Sequence, residues 1–375
     1  MSVIDLFNLA KEENWKICQY GLGTYTKACG QIFLEYLDII PDFICDKNEK
    51  NLQKFNTKNG KKIKIQELKQ IKENVLVLLF MSSKYEKDVC EEFRDNKNIR
   101  IINWEGIHSL LNRDKILCDY FGINEFNYCN VHDEKQKIVN CSKDRKTNNI
   151  AVFTCITGNY DILNKPEVIE EGCDYYLITD ELDAKHIENE EYYKKISIYD
   201  VVPKDITLPK EQNRYCKLHG AEIFHEYDYI IYLDGNIKIL KGFSDLITLI
   251  GDFGLALHKH PFCNDAYLEA FSLSVRNKIY KDDAIQVVKK FVKEGFVRNY
   301  GMAECGVIIC DNKNNLGKEI LKQWYKNYEE NLVKRDQIYF AYTLWKMNIK
   351  MSDVCTLPGN IRTNGYFCIS ASHSK

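Results

Sequence analysis

Three nearly unbroken apolar runs limit what this chain can fold into. VLVLLFM at 75–81, IAVFTCI at 150–156 and YIIYL at 229–233 have almost no polar face. A strand with one wet side alternates in polarity, whereas a strand covered on both sides by helices does not. Each run therefore reads as the centre of a parallel sheet. WKICQYGLG, DFICDKN and IRIINW supply further strands before residue 111, with helical stretches between them. This order predicts a small doubly wound, Rossmann-like sheet. A second series follows: NIAVFTCITGNYD, DYYLITD, KISIYDVV and DYIIYLDGN, with the helical stretch EQNRYCKLHGAEIF before the last of them. The fold class expected is α/β twice over.

Residues 132–149, HDEKQKIVNCSKDRKTNN, are polar and aperiodic, and lie between the two series. The domains expected are 1–130, a linker at 131–149, and 150–375. A chain of 375 residues is long enough for both cores. In the second series Ala284, Val287, Val288, Phe291 and Val292 recur at helical spacing. So do Ile320, Trp324, Tyr328 and Leu332.

Charge excludes some functions. The formal net charge is -2, which gives no bulk attraction for nucleic acid. The Lys-rich stretch at 58–72 is interrupted by acids and polar residues and reads as a solvated face. Fifteen scattered cysteines without CxxC spacing read as free thiols of a reducing compartment. MSVIDLFNLAKEENW has acids where a signal peptide has a basic start, and no run has the length of a transmembrane span. The expected location is cytoplasmic. Contact with a membrane would be peripheral, at its inner face.

Candidate chemistry gathers where strands end, because ligands of parallel α/β sheets bind at carboxyl ends. YIIYL stops abruptly at Asp234, Gly235 and Asn236. A carboxylate, a glycine and a second oxygen donor suit a hard divalent cation shared with phosphates, although DGN is also good turn composition. Thr157, Gly158, Asn159 and Asp161 end one strand, and Thr179 and Asp180 end its neighbour; together they can grip a base and ribose. Arg214 and Lys217 are three apart on one helix face and suit a diphosphate. Arg335, Asp336 and Gln337 precede an apolar helical run, where Asp336 is either catalytic or a helix N-cap. His258 and His260, at alternating positions, are expected to share one face of a strand.

Taken in order, TCITGNYD, YLITD, RYCK, YLDGNI, KHP, AECGVII and RDQIYF resemble the TOD/MUCI glycosyltransferase-like domain family over residues 149–347. The resemblance implies a GT-A-like fold that uses a nucleotide-diphosphate sugar. It implies that Asp234 and Asn236 hold a divalent cation, Mn²⁺ or Mg²⁺, and that Thr157, Gly158, Asp161, Thr179, Asp180, Arg214, Lys217 and Gly235 bind the donor. Asp336, Gln337 and Asp234 take the catalytic roles. His258, His260, Glu304 and Arg335 fall on the acceptor or sugar side. Asn236 stands where many such enzymes have a second carboxylate, which weakens the case for a metal. His373 is a possible late ligand. The acceptor implied is a glycan or lipid-linked glycan, in bacterial capsule or lipopolysaccharide assembly. A nucleotidyltransferase is the alternative, but ITGNYDILNKP lacks the glycine-rich basic loop such enzymes use. A non-catalytic nucleotide-sugar-binding protein is a second alternative. In the first domain Thr26 stands where a third fingerprint glycine belongs, although Asp46 is placed like a ribose-binding acid, so NAD binding is not expected.

The linker reading has a direct check. Limited proteolysis is expected to cut first within 131–149 and to leave two stable fragments. Protection there with cleavage elsewhere refutes the boundary.

Overall fold

The structure is a computed structural model that describes residues 1–23, 30, 32–55, 59–81, 83–128, 149–158, 160–180 and 190–370. Thr26, Asn159, His373 and nearly all of the expected linker lie outside the described residues. The chain divides into two units, residues 1–125 with 271–285, and residues 126–270 with 286–375.

The first unit holds a parallel five-stranded sheet in the order β3-β2-β1-β4-β5. Its strands are β1 (Lys16–Tyr20), β2 (Phe43–Cys45), β3 (Lys61–Lys62), β4 (Val75–Leu79) and β5 (Ile99–Ile102). All five residues of β4 are buried, as an uninterrupted apolar run requires. Asp46, at the end of β2, accepts the amides of Leu22 (2.5 Å) and Asn48 (2.7 Å). Both its oxygens thus hold the backbone of the strand end, where the sequence suggested a ribose contact.

The second unit is built on a six-stranded sheet in the order β12-β14-β10-β7-β8-β9. These strands are β7 (Ile150–Ile156), β8 (Cys173–Thr179), β9 (Lys194–Ser197), β10 (Tyr229–Leu233), β12 (Leu255–Lys259) and β14 (Ala303–Asp311). Only β14 runs against its neighbours β10 and β12. Counted within the sheet, the order is 5-6-4-1-2-3 with strand 6 reversed, a GT-A-like arrangement as expected. Two small pairs complete the unit: β6 (Asn127–Tyr128) with β13 (Val297–Arg298), and β11 (Ile237–Ile239) with β15 (Phe367–Ile369). The core under the sheet joins Ile150, Val152, Ile231, Leu233, Val307 and Ile309.

Some expected elements are shorter than their patterns. KISIYDVV is a strand only to Ser197, whose hydroxyl then accepts the Tyr199 amide and caps the short helix Ile198–Val201. The helix Asn315–Glu329 ends before Leu332, which is exposed.

One ion pair lies in the interior. Arg298 and Asp265 are 3% and 0% exposed and form a short salt bridge. The guanidinium also packs 4.7 Å from the Phe126 ring. Asp265 accepts the Tyr267 amide at 2.8 Å, so its charge is well satisfied. Removing one partner strands the other charge in the core. Arg298→Leu is expected to lower unfolding free energy by about 3–5 kcal/mol in urea titrations, and a loss below about 1 kcal/mol would show that the pair adds little.

Candidate active site

The site forms where β7, β8 and β10 end. At the end of β7 the Thr157 hydroxyl donates to the Pro209 carbonyl at 2.8 Å and is buried. The Gly158 amide donates to Asp180 at 2.8 Å, tying the ends of β7 and β8 together. Thr179 is buried beneath them. Thr157 thus fastens the Pro209–Leu218 helix, while Asp180 and the Gly158 backbone face outward. Beside them is a cavity of about 570 Å³, lined among others by Asp180, Ile198, Tyr199, Val202, Pro209 and Gln212.

At the end of β10 the chain turns through Asp234, Gly235 and Asn236, closed by an Ile237 amide to Asp234 carbonyl bond of 2.8 Å. Gly235 is required for space. A Cβ there would lie 2.9 Å from the Asp161 carboxylate and 3.0 Å from Ile156. The turn therefore seats Asp161 against Gly235, between Asp234 and Asn236 in the chain. Among the described residues, no three His, Cys, Asp or Glu side chains are arranged to hold a metal by themselves.

Beneath the turn lies a network of charges. Asp336 accepts from Arg214 Nε at 2.8 Å, and its other oxygen forms an ion pair with Lys217 Nζ at 2.7 Å. Lys217 Nζ is also 3.7 Å from Asp234, which accepts the Tyr232 hydroxyl at 2.8 Å. Lys217 is 2% exposed, and its ammonium sits over the rings of Tyr232 and Trp324. The shared helix face of Arg214 and Lys217 thus turns inward to carboxylates, with Lys217 almost wholly buried. Asp336 does not cap its helix: the helix spans Asp336–Lys346 with Arg335 at the cap position. Burial alone would raise the Asp336 pKa, but Arg214 and Lys217 outweigh it and hold the carboxyl well below its ordinary value. Trp324 Nε1 donates to the Asp336 carbonyl at 2.7 Å, and Gln337 donates to the Ala303 carbonyl at 2.7 Å.

Lys210, not singled out in the sequence, belongs here. Its pKa is pushed down to about 8 by partial desolvation and by the neighbouring Arg335 and Arg214. Three cations therefore crowd one region, and Arg335 Nε is buried with no hydrogen-bond partner among the described residues. Arg335 lies with these cations. The signal was present: Lys210, Arg214 and Lys217 fall on one helical stripe at spacings of four and three.

The expected acceptor side splits in another way. His258 is fully buried and is set opposite Glu304 across a register shift between Leu257 and His258. His260 lies past the end of β12, and its Nδ1 accepts the Cys263 amide at 2.8 Å. Burial holds both imidazoles below their ordinary pKa, against the opposing pull of Glu304. Glu304 is buried and accepts the Ile361 amide at 2.8 Å and a short bond from Arg362.

A mixed sheet of this order, ending in an acidic turn over buried cations, defines a GT-A-like transferase domain. The TOD1/MUCI70 glycosyltransferase-like domain family matches residues 109–361. The chain belongs to that family and is a transferase of the glycosyltransferase class. No curated protein is found to match the sequence. Solved structures with local similarity include mouse xyloside xylosyltransferase 1 in its apo form, at 10% identity over 53% of this chain and 82% of that one, with a TM-score of 0.34. The apo structure of the bifunctional glycosyltransferase WbbM matches at 11% identity over 73% of this chain and 52% of its own, TM-score 0.34. Galactosyltransferase LgtC in complex with donor and acceptor sugar analogs matches at 14% identity over 55% and 72%, TM-score 0.29.

The charge network predicts a pH effect. A carboxyl with a depressed folded pKa stabilises the fold above its unfolded value, near 3.8, and loses that contribution as pH falls toward the folded value. Asp336→Asn is expected to cost about 3–5 kcal/mol at neutral pH, because Arg214 and Lys217 lose their counter-charge. It should also flatten the fall in stability below pH 4. Parallel acid slopes for variant and wild type would rule the network out as a stability element.

Proposed function

We propose that the second unit transfers a sugar from a nucleotide-diphosphate donor to a glycan or lipid-linked acceptor. The observation that supports it best is the crowding of Lys210, Arg214 and Arg335 beside the Asp234 turn and the 570 Å³ cavity, at the carboxyl ends of parallel strands. Cations with depressed or unpaired donors are a place for an anion of high charge density. In this reading the nucleoside enters the cavity, with Asp180 and the Gly158 backbone at its mouth. The diphosphate lies over Lys210, Arg214 and Arg335. Asp234 and Asn236, with Asp161 beside them, would hold a divalent cation. When bound, that cation would act as a Lewis acid on the leaving diphosphate.

Asp336 serves the reaction through its neighbours. A carboxyl held this far below its ordinary pKa is a poor proton acceptor and does not serve as a general base. Asp336 positions Arg214 and Lys217, and Lys217 in turn fixes the orientation of Asp234. Gln337, in the first turn of the same helix, is anchored on the Ala303 carbonyl. Preorganised charges of this kind stabilise the departing diphosphate in the transition state. The setting in bacterial surface polysaccharide assembly rests on the family resemblance. Location on the cytoplasmic side belongs to the same proposal; among the described residues no helix is long and apolar enough to cross a membrane.

Calorimetry with UDP, GDP and UDP-sugars, with and without Mn²⁺, tests the reading. Binding is expected for at least one nucleotide. Its affinity should fall as pH rises through about 8, as the Lys210 ammonium loses its proton. Lys210→Met should weaken binding about ten-fold, the scale of one charged hydrogen bond, and remove that pH dependence. Nucleotide binding that is indifferent to Lys210 and to pH would move the diphosphate elsewhere.

A further inference from the structure

One large apolar side chain near this site is displayed rather than buried. Phe262 is 83% exposed, in a loop that the fold holds firmly. His260 Nδ1 accepts the amides of Phe262 (3.2 Å) and Cys263 (2.8 Å), and Asn264 accepts the Gly301 amide at 2.9 Å. Asp265, next along, is locked by its ion pair with Arg298. A lone exposed phenylalanine needs no explanation, but this one has a polar partner. The Arg362 guanidinium is 6.0 Å from the ring centroid and half exposed. Glu304, buried below, pairs with that guanidinium and neutralises it.

The pair lies one step from the Asp234 turn. A Cβ on Gly306 would be 3.2 Å from the Asp234 carboxylate and 3.0 Å from Ile361, so those two residues flank Gly306. Ile361 directly precedes Arg362, and Glu304 holds both: the amide of one and the guanidinium of the other. A flat aromatic face beside a charge-neutral arginine–carboxylate pair matches the two sides of a sugar. The ring's C–H face meets the aromatic face, whose quadrupole is negative, and its hydroxyls meet the polar pair.

We infer that Phe262 and Arg362 form the platform on which the acceptor's terminal pyranose lies, and that this acceptor sugar is uncharged. The preference for a neutral sugar follows from Glu304, which cancels the arginine's charge. This inference rests on the donor site proposed above, and its test separates the two. The probes are methyl glycosides of glucose, galactose, N-acetylglucosamine and glucuronic acid, followed by saturation-transfer NMR on the full chain with UDP or GDP present. At least one neutral glycoside is expected to give ring-proton signals, with the glucuronide weaker. Phe262→Ala should lower its affinity about five-fold, the scale of one lost aromatic contact, and Phe262→Trp should keep it. Melting temperature and calorimetric nucleotide affinity should stay unchanged in both variants, because Phe262 is on the surface. No glycoside signal with wild type, equal signal in Phe262→Ala, or a preference for the glucuronide overturns the platform. Loss of nucleotide binding by wild-type protein would instead refute the donor site.

Discussion

The site depends on one ammonium group. Lys217 is almost wholly buried, in a region where an unpaired charge would not be tolerated. It is tolerated because Asp336 and Asp234 approach it from two elements and aromatic rings close the remaining sides. Each carboxylate has further support, Asp336 from Arg214 and Asp234 from Tyr232. The helix Pro209–Leu218, the end of β10 and the start of the helix Asp336–Lys346 are thereby fixed to one another. A change in any of the four charges would be felt by all. Replacements here should therefore affect stability and binding together, in a way that changes at Lys210 or Phe262 do not.

Much of this architecture was legible in the sequence because apolar continuity is a local signal. β4, β7 and β10 begin and end close to where their apolar runs do. Strand ends carrying Asp234, Asp180 and Thr157 followed directly. What the sequence did not disclose was the direction of side chains once helices packed. Arg214 and Lys217 shared a face as expected, yet that face met carboxylates more than 100 positions away in the chain for Arg214 and Asp336. No local pattern announces such a partner. The same limit hid the partner of Glu304, which is Arg362.

His258 and His260 show a different limit. Their alternation suggested one face of a strand, but the strand ends at Lys259, so only His258 belongs to it, and His258 is buried. A register shift between Leu257 and His258 sets His258 opposite Glu304 of β14. Bulges leave no mark in a short HxH segment. Lys210 was by contrast within reach, since the helical stripe that contains Arg214 and Lys217 begins with it. A cation at the first turn of a helix is easily dismissed as a solvated residue, and only its crowding by Arg214 and Arg335 distinguishes it.

The two glycines around Asp234 show why this turn reads Asp-Gly-Asn. Gly235 admits the Asp161 side chain, and Gly306 on the neighbouring strand admits the Asp234 carboxylate itself. Any Cβ at either position would press on a carboxylate or on the apolar chains of Ile156 and Ile361. The carboxylate of Asp234 is thus confined between Lys217 on one side and the Gly306 backbone on the other, with only part of it open to solvent. A second carboxylate at position 236 would add negative charge to a turn that already has Asp161 and Asp234. An amide there offers oxygen without that charge, which suits a site whose positive charge is supplied largely by protein cations. In the proposed function a bound cation and the protein cations would be two contributions to one field, and the residue at 236 would bear on the balance between them.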